Sequence, residues 1–223
     1  MFLINLLKSL DELVYEVMSW LVFYPVTLWR TMTRPLKIMD YSDKELGDRA
    51  DRQYEAALSP PLFLLITLFI SHGLELSLVG DSPIVRETSG LAGLVNDDGS
   101  LLMLRLLTFS IFPLVMAAEL IALRRSPLTR DSLRPAFFAQ CYVAAPFALA
   151  VTTGATLINW RPDSWLAHSG LALFCAALLW YGTLQTRWFV QHLRTTIFRG
   201  FLAASLAMVL SVALVAAVLL FFR

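Results

Sequence analysis

The sequence predicts an all-α fold: a polytopic membrane helix bundle of five transmembrane helices, preceded by an amphipathic helix. Three observations predict it. Hydrophobic residues make up 57% of the chain and charged residues 16%, where soluble domains average ~45–50% and ~25%. Five apolar runs cover roughly residues 60–80, 101–123, 136–158, 165–188 and 200–222. Each has the ~20 residues that cross a ~30 Å hydrocarbon layer. The basic residues between the runs alternate in density. Arg30, Arg34, Lys37, Lys44, Arg49, Arg52, Arg124, Arg125, Arg130, Arg134, Arg187, Arg194 and Arg199 fall in one class of loop; Arg86, Arg161 and Arg223 fall in the other. Basic loops stay cytoplasmic. The bias therefore predicts a cytoplasmic N-terminus, an external C-terminus and residence in a cell membrane, read as a bacterial inner membrane.

Residues 1–29 form the first unit, an interfacial helix. At about 100° per residue, Leu3, Leu6, Leu7, Leu10, Leu13, Val14, Val17, Met18 and Leu21 gather on one face of residues 2–23. Asn5, Lys8, Asp11, Glu12, Glu16 and Ser19 gather opposite. The acidic polar face favours docking on protein over attraction to anionic lipid. Pro25 interrupts the pattern, and Trp20, Tyr24 and Trp29 suit a membrane interface. The alternative is a sixth span over residues 13–29, which would bury Glu16.

Residues 30–59 form a charged cytoplasmic linker. Ser42 and Glu45 have capping-box spacing, and Glu45–Arg49 and Asp48–Arg52 are favourable pairs four apart. They predict a short solvated helix, weakened by Gly47. Leu58-Ser59-Pro60-Pro61 ends it and opens the first span, since proline in a first helical turn costs no hydrogen bond.

Residues 60–223 form the transmembrane domain. Loop 81–100, with Asp81, Glu87, Asp97, Asp98 and three glycines, reads as a solvated acidic loop; its spacing matches no calcium loop. Trp160 and Trp165 bracket the short turn 159–164 as interface anchors. Small residues four apart (Ala203, Ala207 and Ser211; Ala144 and Ala148; Ala150 and Gly154) allow helices to approach closely.

The candidate intramembrane polar site comprises His72, Glu75, Arg105 and Glu119, because ionisable groups inside spans are costly. His72 and Glu75 share a face of the first span. Glu75 lies ~21 Å from Pro61, and Arg105 ~6 Å into the next, antiparallel span, so both reach one level. Their pairing is expected, either to fix helix register or to handle a solute. Glu119 is expected to snorkel to the surface near Arg124. Pro113 and Pro146 are expected to break their helices at a common level, as in solute-binding sites of transporters. Tyr181, Thr183 and Gln185 add polar groups to the fourth span.

No cofactor or metal is expected: Cys141 and Cys175 lack ligand-spaced companions, and His72 and His168 lie at different levels. A net charge of +1 without a basic cluster suggests no nucleic-acid partner. No catalytic motif appears, so the chain reads as a non-enzyme.

In layout, residues 30–223 resemble the Ypt-interacting-protein family, five-span proteins that associate with small GTPases, and its bacterial permease-like relatives. Leu58-Ser59-Pro60-Pro61 keeps the leucine and a proline of that family's acidic-leucine-x-glycine-proline stretch and lacks its acid and glycine. No functional residue is carried over. The expected function is a permease or channel subunit acting as a homo-oligomer in the lipid bilayer. The alternative is a scaffold or accessory subunit that docks a membrane-protein partner through its N-terminal helix.

Overall fold

The computed structural model describes residues 2–49, 52–79, 98–160, 162 and 164–221. They form seven helices and no strand: α1 (Phe2–Thr33), α2 (Pro35–Glu45), α3 (Pro60–Val79), α4 (Asp98–Leu123), α5 (Arg130–Trp160), α6 (Trp165–Leu193) and α7 (Ile197–Phe221). Five segments are long and apolar enough to cross a membrane: Pro60–Val79, Leu102–Leu123, Arg130–Trp160, Trp165–Leu193 and Ile197–Val218. Their order and number match the apolar runs of the sequence. The helices α5 and α6 extend beyond those runs where Arg130, Arg134 and His192 continue the helix past the apolar layer. The loop reading for residues 81–97, together with Arg86, Arg161 and Arg223, lies outside the described residues.

Helix α5 organises the rest. The helices α4, α5, α6 and α7 close a four-membered cluster in which each packs on the next and α7 returns to α4. Helix α3 lies outside it, against the other side of α5, and barely touches α4. One face of α5 sends Ala139, Val143 and Phe147 into the four-helix core, with Met116, Leu120 and Trp188 opposite. The other face sends Cys141, Tyr142, Ala144, Ala145 and Ala148 against Phe63, Leu64 and Leu68 of α3. Alanine makes this possible, because helices in lipid gain stability chiefly from close contact. A close approach pairs Gly154 of α5 with Gly170 of α6. A Cβ at Gly170 would lie 2.7 Å from the Gly154 carbonyl oxygen, and a Cβ at Gly154 would lie 2.8 Å from that of Gly170. On α7, Ala203, Ala207 and Ser211 are buried within the chain, so this small-residue stripe serves internal packing.

The N-terminal region departs from the sequence reading. Helix α1 runs through Pro25 to Thr33 instead of ending near residue 23. Proline removes one backbone donor and crowds the preceding turn, but the helix beyond it is fastened. The Tyr24 ring packs 5.4 Å from that of Phe63. Thr27 Oγ1 donates to Phe23 O (2.7 Å) and accepts from the Leu58 N–H (3.1 Å), and Arg30 Nη1 donates to Ala56 O (2.7 Å). Tyr142 OH donates to Leu58 O (2.7 Å), so both backbone groups of Leu58 are held by distant side chains. The short helix also lies earlier than expected. Pro35 stands in its first turn, and it ends at Glu45 before Gly47. Ser42 is therefore a buried residue of its last turn rather than its cap. The Glu45 carboxylate instead accepts the N–H of Tyr54, which holds a left-handed turn (φ 62°).

The Gly154–Gly170 contact makes a direct prediction. Gly170→Ala should cost about 1–3 kcal/mol through overpacking. Gly73→Ala on α3, where an added Cβ meets nothing within 4 Å, should be neutral or stabilising. Thermal unfolding in one detergent compares them; equal melting temperatures would refute the tight crossing.

Candidate functional site

The polar groups within the spans lie at three levels. At the end of the bundle remote from Arg124, Arg130 and Arg199, Arg105 of α4 places Nη2 against Oε2 of Glu75 on α3. Their side chains are only 12% and 13% exposed. The helices are antiparallel neighbours, which brings residues 30 apart in sequence to the same depth. A cavity of about 140 Å³ adjoins the pair, walled by Val79 and by Thr152, Thr156 and Asn159 of α5. Thr152 donates to Ala148 O (2.7 Å) and Thr156 to Thr152 O (2.9 Å), which leaves their hydroxyl lone pairs as acceptors, while Asn159 uses one of its two amide hydrogens on Ala155 O (2.8 Å). Among the described residues Arg105 Nη1 is buried without a hydrogen-bond acceptor. His72 is buried on α3, about one turn from Glu75 towards the basic end.

The middle level holds an arrangement that sequence reasoning missed. Gln140 of α5 and Gln185 of α6, both fully buried, exchange amide hydrogen bonds: Gln140 Nε2 to Gln185 Oε1 at 2.8 Å and Gln185 Nε2 to Gln140 Oε1 at 2.7 Å. The signal was one amide within each of the consecutive apolar runs 136–158 and 165–188. Gln140 stands ~15 Å from the start of α5 and Gln185 ~12 Å from the end of α6, depths that match in an antiparallel pair.

Pro113 and Pro146 do not break their helices. Helices α4 and α5 run continuously through them. Both prolines are buried beside an aromatic stack that fills the four-helix interior. The Phe147 and Tyr181 rings lie 4.2 Å apart at 16°, and Phe112 meets Phe147 edge-on at 5.5 Å. Phe112 and Phe147, the sequence neighbours of the two prolines, belong to the four-helix core.

At the basic end, Glu119 does not snorkel. Both carboxylate oxygens are shielded from the surface, and no described residue hydrogen-bonds them. Arg124 turns away and donates to His192 O at 3.1 Å. Glu119 instead shares a cavity of about 480 Å³ with Arg199, Thr195 and the apolar side chains of Leu123, Leu202 and Leu206. The cavity lies between the ends of α4, α6 and α7. Among the described residues, no cluster of three His, Cys, Asp or Glu side chains is placed to hold a metal ion.

Together, the five apolar spans and the paired polar groups buried between them, Glu75 with Arg105 and Gln140 with Gln185, define a helical integral membrane protein. Comparison with protein-family models, curated proteins and solved structures gives no match to this chain.

Two predictions test the pairs. Glu75→Leu strands a mostly buried guanidinium and should cost about 3–5 kcal/mol, whereas the exchange Glu75→Arg with Arg105→Glu should recover most of that loss. An exchange as damaging as the single change would show that the pair does more than neutralise itself. Gln140→Leu leaves the Gln185 amide unbonded and should cost about 1–3 kcal/mol, while the double leucine variant should come close to the parent. Additive losses in thermal unfolding would contradict the amide pair.

Proposed function

We propose that the chain is a non-catalytic membrane scaffold or accessory subunit that docks a partner protein through α1. One observation carries this reading. The stretch of α1 before its anchored end leaves Leu10, Leu13, Val14, Met18 and Leu21 each at least half exposed. Asp11, Glu12 and Glu16 lie beside this apolar stretch, also exposed. A strip of this kind suits a groove with basic margins, where anchors spaced three, four and seven residues apart engage an apolar floor. The filled aromatic interior agrees with a protomer that lacks a solute path of its own.

A second reading, an oligomeric permease or channel, draws on the Glu119 cavity. It lies between the ends of α4, α6 and α7, and this reading requires an adjoining copy to extend it into a path.

Deleting residues 1–24 separates the two. Native mass spectrometry of the full chain, extracted gently from its membrane, should show a defined additional protein subunit. The truncated chain should lose it while remaining folded, at a melting temperature lowered by the lost packing of Trp20, Phe23 and Tyr24. A full chain that conducts solute in liposomes, with undiminished conductance after truncation, would overturn the scaffold reading in favour of the permease.

A further inference from the structure

Two cavities at the basic end share lining residues of α6 and together make a groove of two adjoining parts. On one side, Arg34 and Lys37 at the α1–α2 junction face Arg187, Thr183 and Trp180 in a cavity of about 340 Å³. On the other, Arg187, Thr183 and Thr186 continue into a cavity of about 890 Å³ bounded by Ile197, Phe198 and Phe201 of α7. Arg187 and Thr183 line both, so the cationic part borders the apolar part.

The chemistry of the lining selects an occupant. Neither cavity is lined by a carboxylate. Among the described residues, Arg34, Lys37 and Arg187 form no ion pair, and all three side chains are exposed. Arg34 occupies the position before α2 without using its side chain as a cap. Gln191, which lines the larger cavity, donates through Nε2 to Asp40 Oδ1 at 3.4 Å. Thr183 donates to Trp180 O (2.9 Å) and Thr186 to Gly182 O (2.8 Å), which leaves hydroxyl lone pairs as acceptors. The groove therefore offers three cations to an anion, acceptors to a hydroxylated group, and an apolar continuation. Ile197, Phe198 and Phe201 are 75%, 69% and 54% exposed there, at the end of a membrane span.

We propose that this groove is a binding site for an anionic phospholipid. Its phosphate sits among Arg34, Lys37 and Arg187, its headgroup hydroxyls donate to the threonines, and an acyl chain lies along Ile197, Phe198 and Phe201. Basic pockets between spans at a membrane surface bind acidic headgroups in this way, and a guanidinium grips phosphate through paired N–H donors. The mode needs no partner protein and is independent of the docking role of α1.

The test is native mass spectrometry of the full chain, delipidated in detergent and titrated with dioleoyl-phosphatidylglycerol or dioleoyl-phosphatidylcholine. The parent should retain phosphatidylglycerol at least tenfold better. The variant Arg34→Gln/Lys37→Gln/Arg187→Gln should lose that preference. A control, Arg125→Gln/Arg130→Gln/Arg194→Gln, removes the same charge outside the groove and should keep it. Phe198→Ala/Phe201→Ala should weaken lipid retention severalfold with the cations intact. Equal retention of the two lipids by the parent, or equal losses in the groove and control variants, would overturn the site. Displacement of the lipid by millimolar inorganic phosphate would overturn the lipid assignment in favour of a free-phosphate site.

Discussion

Helices surrounded by lipid gain nothing from hiding apolar surface, so contact distance and hydrogen bonding must hold them together. In this chain α5 meets that constraint on two sides at once. One face completes the four-helix cluster and the other carries α3. A helix flanked twice needs a slim surface, which Ala139, Ala144, Ala145, Ala148 and Gly154 provide. The larger side chains are placed where a partner fits them. Phe147 stacks on Tyr181, and Tyr142 reaches past α3 to the backbone of Leu58. That reach also secures the N-terminal helices, because the Leu58 N–H is held by Thr27 of α1. The placement of α1, α2 and α3 thus depends on one slender central helix.

The same environment sorts the polar residues. A side chain that cannot reach water needs a partner of its own. Glu75 meets Arg105, and Gln140 meets Gln185, each pair joining two helices at one depth. Serine and threonine hydroxyls take the local solution and bond carbonyls three or four residues back, as Thr67, Thr152 and Ser211 do. Glu119 follows neither pattern. It lines a cavity and no described residue donates to its carboxylate, which sets it apart from the groups that serve cohesion.

The span count and the charged pair were legible in the sequence because both rest on simple lengths. Apolar runs measure the bilayer, and the rise per residue converts position into depth. What escaped was whatever depends on a neighbour. Pro25, Pro113 and Pro146 each carry the local signature of a helix break, yet each helix runs through, with the neighbouring Tyr24, Phe112 and Phe147 rings packed against other helices. Ser42 and Glu45 spell a helix start, but Pro35 had begun that helix earlier, and Glu45 serves the Tyr54 turn. Gln140 was overlooked because an amide in one helix has meaning only beside the amide in another. The groove across α6 is likewise invisible in one dimension, since Arg34 and Arg187 meet only after folding.

The weak contact between α3 and α4 has a consequence for biosynthesis. Spans emerge from the ribosome in order, so these two helices enter the membrane before the helix that later wedges both into place. Until α5 arrives, little apolar packing holds them to one another. The bond between Glu75 and Arg105 is then their main mutual attachment, and it also neutralises the two charges that most oppose their entry into lipid. It acts as a provisional clasp, setting the depth of the first hairpin before the bundle exists to enforce it.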